Sequence, residues 1–99
     1  MTYNFEGKLW RWTGEAPASW VFVTLPEDVA FAIKCAIIDR RAWGSVAVEA
    51  RIGTTVWRTS LFPEKASGSY LLPVKAAVRK AENLGDESVT EVQLSLIHG

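Results

Sequence analysis

The sequence predicts a mainly β fold with two short helices, closed or nearly closed into one small β-barrel. About six segments have the length and composition of strands, and only two have the spacing of helices. Because long helices do not separate the strands, a parallel doubly wound sheet is not expected. The order strand, Leu-Pro, helix, turn and strand occurs twice, which favours a pseudo-twofold barrel with a helix closing each end.

The composition predicts one globular domain over residues 1–99. Hydrophobic residues make up 48% of the chain and charged residues 22%, which is ordinary for a protein with one buried core. A single cysteine excludes an internal disulfide, and no apolar segment has the length of a signal peptide or a membrane span. We therefore expect a cytoplasmic protein with no membrane partner.

The charge balance bears on the class of partner. Eleven Lys and Arg residues balance eleven Asp and Glu residues, and this zero net charge disfavours a dedicated nucleic-acid-binding domain. Residues 34–58 are locally basic, with five basic residues against two acidic ones. This segment forms either a modest basic face or part of a scattered, solvated surface.

The first half of the chain predicts two strands and a helix. Residues 2–12 alternate between apolar and polar side chains, as in a half-buried strand. Residues 20–26 form a continuous apolar run, which predicts a short strand buried on both faces. Pro26 suits the first turn of the helix that follows. The apolar stripe of this helix consists of Val29, Ala32, Ile33 and Ala36.

The second half predicts a hairpin, a short strand, a helix and a closing strand. The hairpin joins residues 45–53 to residues 55–62, and residues 70–73 form the short strand. The second helix spans residues 74–83 and ends near Gly85, a residue suited to a left-handed cap. Its buried stripe consists of Val74, Ala77, Val78 and Ala81. The closing strand places Val92, Leu94 and Leu96 on one face.

The two Leu-Pro pairs suggest an internal repeat. Leu25-Pro26 and Leu72-Pro73 each follow a strand and precede a helix. A duplication in which each pair makes the same corner of the barrel explains this order. Because the two halves share few identical residues, two unrelated helix starts remain the alternative.

Two long stretches carry a family resemblance. WVFVTLPEDVA and VWRTSLFPEKASGSYLLPVKAAVRKAENLGDESV resemble the family catalogued as domain of unknown function 1905, most specifically from Arg58 to Asp86. The resemblance covers nearly the whole chain and implies a small, double-psi-like barrel in a bacterial context, with no established activity. Family members are sometimes found beside or fused to domains linked to bacteriocin resistance. Extra residues after Asp86 depart from the family pattern, so we expect a bulge or a longer turn there.

The residues that usually carry catalysis are few and poorly placed. His98 lies next to the C-terminus, and Cys35 lies near the apolar stripe of the first helix, where a buried inert thiol is expected. No Cys or His cluster has the spacing of metal ligands, and no glycine-rich phosphate loop follows a strand. The sequence therefore predicts no catalytic residue, no metal and no cofactor.

Five tryptophans are a high number for this length. Trp20 and Trp57 lie in apolar segments and are expected in the core. Trp10, Trp12 and Trp43 lie near arginines or glycine, where an indole can stack on a base, a sugar ring or a cation. Packing at the end of the barrel is the alternative for these three.

Five residues form the best candidate ligand site. Arg58 and Ser60 share one face of a strand, while Lys75 and Arg79 lie one turn apart on one flank of the second helix. Two like charges at this spacing repel, and an anionic ligand would offset the repulsion. Tyr70 completes the predicted site. The alternative is a solvated flank on which Glu82 neutralises Arg79.

These residues predict a non-enzymatic binding module for an anionic or ring-containing small ligand. A nucleic-acid-binding or regulatory domain is the first alternative, because residues 34–58 are locally basic. An enzyme of unknown reaction is the second alternative. The sequence leaves open whether the protein is a monomer or a homodimer.

Overall fold

The structure, a computed structural model, describes residues 2–12, 20–37 and 46–97. The predicted mainly β fold with two helices is confirmed. In chain order the elements are β1 (Thr2–Trp12), β2 (Trp20–Thr24), α1 (Glu27–Ile37), β3 (Val46–Ile52), β4 (Thr55–Glu64), β5 (Ser69–Pro73), α2 (Ala76–Ala81) and β6 (Val89–Leu96). Neither helix in these ranges is long and apolar enough to cross a membrane.

The strands form a closed barrel in the order β1-β2-β5-β4-β3-β6, in which β6 pairs with β1. Each neighbouring pair is antiparallel. Within the described ranges each strand has two neighbours, and β1, for example, pairs with β6 along Thr2–Lys8 and with β2 along Leu9–Trp12. The double-psi-like detail of the prediction is not confirmed.

The barrel interior is filled by alternate residues of each strand. Leu9, Leu61, Leu72 and Leu94 come from four different strands and are completely buried. Trp57 also faces inward and is 6% exposed, as its apolar surroundings predicted. A closed barrel buries only one face of each strand unless a helix covers the other. The inner face is therefore the core.

The prediction that β2 is buried on both faces is wrong. Val21 and Val23 are buried in the barrel, whereas Trp20, on the outer face, is 44% exposed. The prediction that Trp20 belongs to the core is wrong for the same reason. A continuous apolar run does not show whether both faces of a strand are covered. In β2 the outer-facing apolar residues are aromatic side chains at the surface.

Helix α1 packs through a stripe that is rotated from the predicted one. Val29 and Ile33 are buried as expected, but Ala30 and Ile37 are the other buried residues, while Ala32 and Ala36 are only half-buried. Cys35 is exposed, which corrects the expectation of a buried thiol. It lies two residues from Ile33, and two residues turn an α-helix by more than half a circle.

Helix α2 is shorter than predicted. Val74 is not helical, because it extends β5 and its N–H donates to the Val21 carbonyl at 2.9 Å. Lys75 has an extended backbone and is the N-cap. Val78 is the buried residue of the helix, whereas Ala77 and Ala81 are exposed, so the predicted stripe is correct only at Val74 and Val78.

The C-terminal end of α2 is a Schellman motif centred on Asn83, and not on Gly85 as predicted. Asn83 has a left-handed backbone with a φ of 53°. Its N–H donates to the Lys80 carbonyl at 3.3 Å, and the Leu84 N–H donates to the Arg79 carbonyl at 2.8 Å. Leu84 then packs against the core.

The order of strand neighbours is the same when β1, β2 and β3 are exchanged with β4, β5 and β6. The central pair of strands, β2 and β5, also carries matched hydrogen bonds. Leu25 N–H donates to the Tyr70 carbonyl at 3.0 Å, and Val74 N–H donates to the Val21 carbonyl at 2.9 Å. Duplication of the sequence itself stays a prediction.

The two Leu-Pro pairs do not make the same corner. Helix α1 begins one residue after Pro26, whereas α2 begins three residues after Pro73. Pro26 lies between β2 and α1, but Pro73 lies within β5 and stands opposite Phe22. Aligning the two Leu-Pro pairs therefore places the starts of the two helices two residues apart.

The extra residues after Asp86 form a turn. Ser88 N–H donates to the Gly85 carbonyl at 3.2 Å, and Glu87 has a positive φ of 67°. The pairing of β1 with β6 then continues without a bulge from Val89 onwards. Val89 is 57% exposed while Val92 is buried, because positions three apart in a regular strand lie on opposite faces, so β6 contains no change of phase.

Candidate ligand-binding groove

A groove of about 520 Å³ lies between the start of α2 and the neighbouring strands β2 and β4. Its apolar wall includes Trp20, Trp57, Phe62 and Pro73. Its polar lining residues are Arg58, Thr59, Ser60, Lys75 and Arg79. We call it the α2 groove.

Four of the five predicted site residues line the α2 groove: Arg58, Ser60, Lys75 and Arg79. Tyr70 does not line this groove. It shares the inner face of β5 with Leu72 and is only 5% exposed, and this burial raises the pKa of the Tyr70 hydroxyl above its ordinary value. The Lys34 ammonium lies 5.9 Å from the centre of its ring, on the side of α1.

The groove contains three cations and, among the residues described, no lining carboxylate. The side chains of Arg58 and Lys75 form no hydrogen bond or ion pair in the described part of the chain. Glu49 stands opposite Arg58 in the β3–β4 register but does not pair with it. Arg79 is oriented by the backbone, because its Nε donates to the Val74 carbonyl at 3.1 Å.

The acidic residues near α2 have other partners. Glu82, the expected counter-charge of Arg79, accepts a hydrogen bond from Thr55 Oγ1 at 2.5 Å. Asp86 accepts two hydrogen bonds from Arg11, at 2.9 and 3.0 Å. Arg11, and to a smaller extent Arg79, hold the pKa of the Asp86 carboxyl below its ordinary value. The positive charge of the groove is therefore largely uncompensated by described residues.

An aromatic column lies on the outer face of β1 and β2 and ends at the groove. It consists of Trp10, Phe22 and Trp20. The rings of Trp20 and Phe22 are stacked, with centroids 5.9 Å apart and planes 6° from parallel. Trp10 lies against Phe22 at 5.4 Å, and its Nε1 donates to Thr24 Oγ1 at 2.9 Å.

The other aromatic residues divide between core and surface. Trp57 is a core residue whose indole Nε1 is buried without a hydrogen-bond partner among the described residues, although its ring lines the groove. An unpaired buried donor of this kind is unfavourable. Trp12, opposite Trp20, is 41% exposed but does not line the groove. Trp43 and His98 lie outside the described residues.

The sequence contained a signal for the aromatic column that was not used. Trp10 follows buried Leu9, and Trp20 and Phe22 alternate with buried Val21 and Val23, so these three aromatic residues lie on outer faces once the barrel closes. The basic residues were found because spacing alone places them on shared faces. Their approach to the column depends on the pairing of β2 with β5, which spacing does not reveal.

The polar lining of the groove consists of three cationic side chains and two hydroxyls among the described residues. Its lining hydroxyls have no histidine, cysteine or carboxylate beside them in the described lining, so no pair of residues resembles a nucleophile with its base. No cluster of three or more His, Cys, Asp or Glu residues in the described ranges could hold a metal ion. A second groove, of about 660 Å³, has Glu6, Arg51 and Glu91 as its charged lining and lacks the excess of cations.

Comparison with protein families gives one match. A family model described as a domain of unknown function (DUF1905) matches residues 5–94, a range that includes the whole α2 groove. No curated protein matches the chain.

Proposed function

Because the chain belongs to the family of domain of unknown function 1905, whose description names no activity, we propose a function from the α2 groove itself. The protein is a non-enzymatic module that binds a small anionic ligand in this groove. The observation that carries the proposal is the set of three cations, Arg58, Lys75 and Arg79, without a lining carboxylate among the described residues. A cytoplasmic location is part of the same proposal.

The arrangement of the cations supports an anion as the ligand. Three like charges at one groove repel each other, and a bound anion turns that repulsion into attraction. Arginine presents several N–H donors in a plane that matches a phosphate or a carboxylate. Since Val74 already fixes Nε of Arg79, its terminal amino groups are pre-oriented donors.

The size of the groove supports a small molecule. Its volume of about 520 Å³ lies within the range of roughly 300–1,000 Å³ that is typical of ligand pockets. Apolar and aromatic residues make up its remaining wall, which is also the usual composition of such pockets.

The test is thermal unfolding with inorganic phosphate, pyrophosphate and citrate at constant ionic strength. A ligand of the folded state raises Tm by an amount that grows with the logarithm of its concentration. We expect at least one anion to do so. We expect Arg58→Gln combined with Lys75→Gln to abolish the rise.

The matched control combines Arg51→Gln with Lys65→Gln. It removes the same kinds and number of charges from exposed positions outside the α2 groove. It should keep the wild-type rise in Tm. The proposal is wrong if no anion stabilises the wild type, or if the two double variants respond equally.

A nucleic-acid-binding role is the second candidate, and the aromatic column beside the cations is the observation that favours it. Single-stranded nucleic acids bind where aromatic rings stack on bases next to a basic groove. The zero net charge disfavours it. If the protein has this role, it should bind a single-stranded oligonucleotide at low salt, and the affinity should fall steeply as the salt concentration rises.

A further inference from the structure

We propose that the ligand of the α2 groove is an aromatic ring that bears the anionic group, and that this ring stacks on Trp20 as the next member of the aromatic column. The inference rests on the proposed function, because it adds a ring-binding subsite to the same groove. Three features of the structure lead to it.

The first feature is that Trp20 is held in place. Phe22 is nearly parallel to it at 5.9 Å, and Trp10, whose Nε1 donates to Thr24 Oγ1, has its ring centroid 5.4 Å from that of Phe22. A ring that is already fixed loses little side-chain entropy when a ligand binds to it. The Trp20 indole is therefore already ordered as a platform on which a ligand ring can stack.

The second feature is the surface that the stack leaves free. Phe22 covers one face of the Trp20 indole, yet the side chain remains 44% exposed and lines the groove. We infer that the uncovered indole surface is the part of Trp20 that forms this wall of the α2 groove. A ligand ring placed there would continue the offset stacking that aromatic rings favour.

The third feature is the short separation between platform and cations. Phe22 pairs with Pro73 across β2 and β5, and both Trp20 and Lys75 lie two residues beyond this pair, on the side of the groove. Neighbouring strands are about 4.8 Å apart. A ring on Trp20 thus brings a directly attached phosphate or carboxylate near Lys75, so no long tether is required.

The experiment compares four probes by calorimetric titration of the full chain: phenyl phosphate, cyclohexyl phosphate, inorganic phosphate and phenol. The two ring phosphates carry the same charge and have similar size, so their affinity ratio isolates the aromatic contribution. We expect phenyl phosphate to bind about tenfold more tightly than cyclohexyl phosphate. We expect phenol to bind more weakly than either.

The variants are Trp20→Leu and, as a matched control, Trp12→Leu. Both remove an indole of similar exposure, but only Trp20 lines the groove. Trp20→Leu should reduce the phenyl-to-cyclohexyl ratio to about one. Trp12→Leu should keep the wild-type ratio. The comparison of probes on the wild-type protein needs no variant and holds even if one variant does not fold.

The outcomes separate the two proposals. Equal binding of phenyl and cyclohexyl phosphate overturns the ring subsite and leaves the anion-binding function standing. An unchanged ratio in Trp20→Leu overturns the assignment of the ring to Trp20. Failure of every phosphate probe to bind overturns the proposed function, and the ring subsite with it.

Discussion

At the scale of single residues, the barrel interior depends on one position that must lack a side chain. Gly7 faces inward on β1 between Phe5 and Leu9. A Cβ atom there would collide with Cγ1 of Val23 on the neighbouring strand. Val23 is completely buried and β-branched, so its side chain has few rotamers and little space in which to move aside. Close approach of β1 to β2 therefore requires glycine.

We predict that Gly7→Ala destabilises the protein by about 1–3 kcal/mol, the usual cost of forcing an extra methyl group into a packed core. Gly85→Ala is the control, since a Cβ there meets only Ser88 Oγ at 3.9 Å and the backbone φ is not left-handed. Urea unfolding of both variants provides the measurement. Equal stability of the two would contradict the close packing of β1 on β2.

At the scale of elements, the sequence predicted correctly which residues share a face of a strand or helix. It predicted less well whether that face lies inside the barrel or at the surface. Arg58 with Ser60 and Lys75 with Arg79 share surfaces by strand and helix geometry alone, and all four line the groove. Tyr70 does not line the groove, and its alternation with buried Leu72 is typical of a residue on the inner face of β5. The exposure of Trp20 could not be predicted from the apolar residues around it, because which face of a strand is the outer one is set only when the six strands close into a barrel.

The C-terminal end of α2 is a second feature that the local sequence did not predict correctly. Gly85 was the expected cap, since glycine adopts a left-handed backbone most easily, but the helix ends earlier and Asn83 takes this conformation. The earlier end lets Leu84 reach the core. Tertiary packing therefore places the cap at asparagine, which adopts a left-handed backbone less easily than glycine.

We predict that Asn83→Ala destabilises the protein by about 1 kcal/mol, because alanine tolerates a left-handed backbone less well than asparagine. Asn83→Gly should be at least as stable as the wild type, since glycine adopts this backbone without steric conflict. Chemical denaturation of both variants tests the Schellman motif. A more stable alanine than glycine variant would refute it.

At the scale of the whole molecule, closure makes the first and last strands as well supported as the others. Strand β1 pairs with β6 along Thr2–Lys8 on one side and with β2 along Leu9–Trp12 on the other. In an open sheet a terminal strand would have one unpaired edge and would open locally.

We predict that backbone amides of β1 paired with β6 exchange with solvent only through global unfolding. Their free energies of exchange should equal those of amides in the centre of the β3–β4 pair. Native-state hydrogen exchange measures both sets in one experiment. Values about 2 kcal/mol lower for β1 would show that the barrel opens along this seam.

Closure between β1 and β6 also means that the order of the chain is not essential to the arrangement in space. The Cα partners Thr2 and Ser95 stand side by side, and the β3–β4 turn at Gly53 and Thr54 is exposed. A short linker from β6 to β1, with a new chain start in that turn, would give a circular permutant that keeps every strand neighbour. In such a chain β3 and β4 would become the last and first strands, and the α2 groove would still be built from β2, β4 and α2.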